Sequence, residues 1–183
     1  MPTALPSSRP KVAGSVLALV TAIAACEGAG LVGVLVTDTG NSPWYRSLKK
    51  PSFNPPPSVF GPVWTALYAM MGVSAFLVWR NRKTSPAARP ALVLFGLQLA
   101  LNAIWTPVFF GFKSLGGAFA IILALWAAIA VTIDRFRRVS PVAAVLLIPY
   151  LLWVSFASVL NGSIFLLNRP APDRAQTAAA TDR

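Results

Sequence analysis

The chain contains no histidine, one cysteine and five acidic residues in 183. Each scarcity removes a class of chemistry. Without histidine, the usual general base, the commonest metal ligand and the usual axial haem ligand are missing. Cys26 alone cannot close an intramolecular disulfide. No glycine motif that would cradle a phosphate is present, and no metal site is expected. Charged residues make up 11% of the chain, where a soluble domain of this size carries about a quarter. Short alternating strands are also lacking, which argues against a transmembrane barrel.

What is there is apolar, 56% of the residues. Five long runs stand out, roughly Val12–Val36, Phe60–Trp79, Pro90–Phe110, Leu115–Ile133 and Pro141–Leu167. Each reaches the ~20 residues that a helix needs to cross hydrocarbon. The expected fold is an all-α integral membrane protein, a bundle of five transmembrane helices. The expected organisation is a tail over 1–11, a membrane domain over 12–168 and a second tail over 169–183. Both tails read as disordered from their Pro, Ala, Ser, Thr and Arg content.

The net charge of +11 does not point to nucleic acid. Arg80, Arg82, Lys83 and Arg89 lie in one connector, and Arg135, Arg137 and Arg138 in another. Cations flanking apolar spans are accounted for by lipid headgroups and orientation signals. Nine cations fall on the side of the N-terminus and seven on the other. That is a slight bias toward a cytoplasmic N-terminus, too small to fix the orientation. Ile23-Ala24-Ala25-Cys26 resembles a lipoprotein cleavage site, but the apolar run resumes through Val36 and reads as one span.

Two carboxylates need an account. Glu27 lies inside the first span, where a charge is costly. Asp134 follows the fourth span beside three arginines and reads as locally ion-paired. Gly96 and Ala100, and Ala120, Ala124 and Ala128, recur every four residues, a pattern of close helix seams or a dimer face.

Residues 44–68, WYRSLKKPSFNPPPSVFGPVWTALY, carry the most information. Pro51, Pro55, Pro56 and Pro57 fix φ and remove amide donors, so the loop over 37–59 is expected to be stiff and non-helical. It reads as the lid of a pocket. Phe60, Trp64 and Tyr68 are spaced by four on the second span. Gln98, Asn102, Trp105 and Phe109 share a face of the third. Tyr150, Trp153, Ala157, Leu160 and Asn161 do so on the fifth. Aromatic walls with sparse polar anchors suit a large, planar, mostly apolar ligand. Trp79, at the end of the second span, reads as an interfacial anchor.

Three ordered motifs, Trp44–Pro56 with Val59–Tyr68, Gln98–Gly111 and Pro149–Asn161, closely resemble the TspO/translocator-protein family of tryptophan-rich sensory proteins, also known as peripheral benzodiazepine receptor-like. The resemblance implies a five-helix bundle, often a homodimer, that binds porphyrins such as protoporphyrin IX, isoquinoline or benzodiazepine-type ligands and, in some members, cholesterol. Carried over by motif, the ligand would meet Tyr45, Pro55, Phe60, Trp64, Tyr68, Asn102, Trp105, Trp153, Ala157 and Leu160. Ser58 stands where many members have Trp, and Phe165 replaces the tyrosine of the sterol pattern, which places cholesterol below porphyrin.

The leading expectation is a porphyrin-binding sensor or receptor that needs no cofactor. Lys49, Lys50 or Arg46 would meet the propionates. One alternative is a light- and oxygen-dependent porphyrin-degrading enzyme, with Trp64 and Trp153 as electron-transfer residues. The other is a transporter of porphyrin, sterol or another apolar metabolite. No acid–base pair of a conventional hydrolase is evident.

Overall fold

Proline and serine set most of the helix starts. Pro43, Pro57 and Pro141 each sit in the first turn of a helix, where the missing amide costs no helical bond. The side-chain oxygens of Ser42, Ser114 and Ser140 accept from the backbone N–H groups of Tyr45, Gly117 and Ala143, capping three helix starts.

The structure, a computed structural model, describes residues 9–35 and 42–169. The helices are α1 (Arg9–Leu35), α2 (Pro43–Ser47), α3 (Pro57–Arg80), α4 (Ala88–Thr106), α5 (Leu115–Arg137), α6 (Pro141–Leu146) and α7 (Ile148–Leu167). A π-helical turn, Pro107–Gly111, continues α4. Five stretches are long and apolar enough to cross a membrane: Gly14–Leu31, Pro57–Arg80, Ala88–Gly111, Leu115–Arg137 and Pro141–Leu167. No strand occurs among the described residues. The architecture is the expected five-helix bundle.

Four details differ from the sequence reading. The lid is not wholly non-helical: Pro43–Ser47 forms one turn, because the prolines that forbid a helix start only at Pro51, and α3 already begins at Pro57, whose missing N–H costs nothing in a first turn. The fifth span is two helices, broken at Leu147, since Pro149 has no N–H to continue the ladder. Pro107 has the same effect on the third span, which widens until the Phe112 N–H donates to the Pro107 carbonyl at 2.9 Å. The first helix starts at Arg9, three residues inside the expected tail. Residues 1–8, 36–41 and 170–183, which hold most of both tails and part of the lid loop, lie outside the described residues.

The helices pack α1 on α3 and α4, α4 on α5, and α5 on α7. Tyr150, Phe136, Met71, Leu125 and Ile129 are fully enclosed between them. Val16, Leu17 and Val20 of α1, Val93 and Leu97 of α4, and Val159 and Leu166 of α7 point outward, where a bilayer supplies the apolar partner. The small-residue stripes also face outward. Gly96, Ala100, Ala120 and Ala124 are exposed, and a Cβ on Gly96 would meet nothing within 4 Å. The expected intramolecular seams are therefore elsewhere. The tight approach is at Gly72, where an added Cβ would fall 2.5 Å from the Ile23 Cα of α1.

Buried polar groups tie the helices together. The Ser74 hydroxyl donates to the Ala143 carbonyl at 2.7 Å, joining α3 to α6. Replacing Ser74 by Ala should cost about 1 kcal/mol, read as a lowered unfolding midpoint in detergent. Asp134 pairs with Arg137 and Arg138 at 2.6 and 2.7 Å, as its arginine-rich setting indicated. Arg82 lies over the Trp79 ring at 3.4 Å, which suits an anchor at the end of a span.

Candidate ligand-binding site

Beneath the lid, between the helices, lies a partly open cavity of about 790 Å³. The size falls within the range of small-molecule sites. Its roof is Tyr45, Arg46, Lys50, Asn54, Pro55 and Pro57. One wall is Phe60, Trp64 and Tyr68 of α3, one turn apart on a single face. Asn102 and Trp105 of α4, with Phe109 and Phe110 of the π turn, form the second. Trp153, Ala157, Leu160 and Asn161 of α7 form the third. All ten residues named from the motifs are thus brought to one space.

Aromatic contacts hold the walls in place. Trp64 stacks on Tyr68 with centroids 5.3 Å apart, and Trp105 stacks on Phe109 at 5.1 Å. Phe60 meets Trp153 edge to face at 5.9 Å, joining α3 to α7. The π turn brings Phe109 and Phe110 together at 4.8 Å, so Tyr45 of the lid rests on both.

The floor is a polar relay. The Tyr68 hydroxyl donates to Asn102 Oδ1, and Asn102 Nδ2 donates to the Tyr150 hydroxyl at 3.0 Å. Asn102 therefore bridges α3 and α7 while lining the cavity, so the bridging and ligand-facing roles coincide in one residue. Gln98, one turn further along the same face, is buried but does not reach the cavity. Tyr150 likewise lies behind the wall, in the core.

Four wall residues have buried polar atoms without a partner: Asn54 Oδ1, the indole N–H groups of Trp105 and Trp153, and the Asn161 amide. By contrast, Trp126, away from the cavity, donates its N–H to Ser155 Oγ at 2.8 Å. Buried polar groups in folded proteins are nearly always satisfied. Gln98 is unpartnered too, behind the wall, but the other four surround one space and mark it as a place for an occupant.

The lid is fastened at both sides. Lys50 Nζ donates to the Tyr45 carbonyl at 2.6 Å and lies 4.4 Å from the centroid of the Tyr45 ring. Burial raises the Tyr45 phenol above its ordinary pKa, so it stays protonated at neutral pH. Asn168, just past α7, accepts from the Lys49 N–H at 3.0 Å and donates to the Lys49 carbonyl at 2.9 Å. Lys49 itself is exposed and does not line the cavity, so only Arg46 and Lys50 of the three lid cations are at the roof. Replacing Asn168 by Ala should loosen the lid, seen as trypsin cleavage after Lys49 several times faster than in the parent protein; the bond after Lys50 precedes Pro51 and resists trypsin.

The motif reading missed two walls. Glu27, Gly30 and Leu31 of α1, and Ile122 and Leu125 of α5, also line the space. Gly30 is required by proximity, since a Cβ there would run into the Tyr68 ring.

Comparison with known proteins gives the family of the chain. The model of the TspO/MBR family matches residues 22–167. The chain belongs to the TspO/MBR family. It is 42% identical over 153 residues to "Tryptophan-rich protein TspO" of Chlorobaculum tepidum, covering 84% of this chain and 97% of that one. It is 46% identical over 120 residues to the human "Translocator protein", covering 64% and 70% respectively. A "Tryptophan-rich sensory protein" of Cereibacter sphaeroides is 37% identical over 153 residues, 84% of this chain and 92% of the relative. As a TspO/MBR protein with five apolar spanning helices, the chain is a multi-pass integral membrane protein.

Proposed function

We propose that this TspO-type protein is a membrane sensor or regulator that binds a tetrapyrrole such as protoporphyrin IX in the cavity under the lid. The observation that carries this reading is a space of about 790 Å³ walled by indole and phenyl rings from separate segments. Flat rings offer large contact area at low conformational cost, which favours a planar apolar ligand. The propionates of a porphyrin would sit beneath Arg46 and Lys50, where charge-assisted hydrogen bonds are available. No cofactor is needed for recognition of this kind.

The test is an absorbance titration of the detergent-purified protein with protoporphyrin IX in darkness. A saturable shift of the Soret band is expected. Replacing Trp64 or Trp153 by Ala should weaken binding about tenfold or more, because each removes a wall ring. Unchanged affinity in both variants would reject this pocket.

A second reading is favoured by the stack of Trp64 on Tyr68 and the relay from Tyr68 through Asn102 to Tyr150. A porphyrin excited by light against this wall would sensitise molecular oxygen, whose two atoms add to the porphyrin ring itself, while Trp64 and the tyrosine behind it take up and return the transient electron hole within one turnover. Illumination should then bleach the bound porphyrin faster than it does on an unrelated porphyrin-binding protein, and Trp64→Phe should slow that bleaching. Equal rates would dispose of the enzymatic reading while leaving binding intact.

The outward stripe of Gly96, Ala100, Ala120 and Ala124 offers a low-relief surface on α4 and α5. We assign it to a homodimer contact, where small residues let backbones approach closely. Cysteines placed at Gly96 and Ala124 in a Cys26→Ser background should cross-link two copies in a bilayer.

A further inference from the structure

Glu27 is the feature that the reading above leaves unused. Among the described residues the carboxylates are Glu27 and Asp134, and Asp134 is held by two arginines. Glu27 has no cation and no hydrogen-bond donor among the described residues, yet it lies on the cavity wall. It stands eight residues before the described end of α1, roughly 12 Å below it at 1.5 Å per residue. Tyr68, packed against Gly30 one turn along from Glu27, is at a comparable depth, roughly 16 Å below the start of α3. The cations Arg46 and Lys50 are in the roof. The cavity is therefore dipolar, with positive charge at the lid and an acid toward the floor.

An acid at membrane depth is costly unless it meets a cation or a donor. The described residues bring none to Glu27, which leaves that place to a partner carried by the occupant. We propose that Glu27 is a specificity and orientation determinant. It receives a cationic or N–H-donating group on the inner edge of the ligand, and it turns any carboxylate on that ligand back toward Arg46 and Lys50. The ligand class is then a flat amphoteric molecule, with an acid edge at the lid and a basic or donor edge at α1. This inference rests on the cavity holding a planar ligand, but not on that ligand being a porphyrin.

The test uses two planar probes of matched size, pyrenemethylamine and pyrenecarboxylate, titrated by tryptophan quenching in zwitterionic nanodiscs. The parent protein is expected to bind the amine more tightly than the acid. Glu27→Gln should lower amine affinity about tenfold and raise that of the acid, while Glu27→Asp retains the preference for the amine. Opposite changes for the two probes are not produced by a folding defect, which would weaken both. Equal binding of the two probes by the parent, or parallel changes in Glu27→Gln, overturns the proposal. Protoporphyrin IX is titrated in the same nanodiscs. If it fails to bind while the Glu27-dependent preference persists, the porphyrin reading falls and this inference stands. If it binds and the preference is absent, the reverse holds. If neither probe nor porphyrin binds the parent protein, both fall.

Discussion

Replacing Asn102 by Leu is expected to lower the stability of the protein by about 2–4 kcal/mol and to disable the cavity floor at the same time. The amide accepts from the Tyr68 hydroxyl and donates to the Tyr150 hydroxyl, and all three residues are buried. Leucine fills a similar volume but leaves two phenols without a partner. Each orphaned polar group costs on the order of 1–3 kcal/mol. Hydrogen bonds between membrane helices average less than this, because unfolded helices also find partners in the bilayer. The midpoint of unfolding by denaturing detergent measures the loss. Substituting both tyrosines by Phe together with Asn102→Leu should recover most of the stability, because no orphan remains. Recovery of stability without recovery of ligand binding would separate the two roles of Asn102.

The largest purely steric effect is expected at Gly72. A Cβ there would lie 2.5 Å from the Ile23 Cα and 2.8 Å from the Ile23 nitrogen. Both are main-chain atoms, so no side chain can swing aside. Gly72→Leu should therefore push α1 from α3 and cost about 3 kcal/mol or more, at the upper end of overpacking penalties. Displacing α1 also removes one wall of the cavity, so ligand affinity should fall with stability. Gly28→Ala, on α1 and outside both the cavity and the outward stripe, is the control. Its Cβ meets nothing within 4 Å, and alanine favours the helix by up to ~1 kcal/mol. That variant should be neutral or slightly more stable. Equal destabilisation by the two changes would mean that α1 does not pack as described.

These two positions also show what the sequence could reveal. Asn102 announced itself, because an amide among apolar residues on an aromatic face is an exception that calls for a partner. The ring spacing on α3, α4 and α7 was legible for the same reason. Gly72 carried no such mark. Glycines and alanines at four-residue spacing identify where helices can come close, but not which way they face. The regular stripe from Gly96 to Ala124 looks outward, while the isolated Gly72 makes the tight contact. The walls contributed by α1 and α5 were hidden by another ambiguity. Leu31, Ile122 and Leu125 sit in helices that are apolar all round, so an inward leucine reads no differently from one that meets lipid. The breaks at Leu147 and over Pro107–Gly111 follow from single prolines whose effects depend on the neighbouring turns. The lid helix was missed because the proline-rich stretch was extended one turn too far toward Ser42.

Asn168 gives the lid a further property. Its amide holds the Lys49 backbone through two bonds and also donates to the Ile164 carbonyl of α7 at 2.8 Å. Lifting the flap must release the very residue at which the last helix stops. Tension on the chain that follows would tug on this latch, and a seated guest that keeps it shut would steady the tail's point of departure. Occupancy within the bilayer could thereby be transmitted to the surrounding water through one amide side chain.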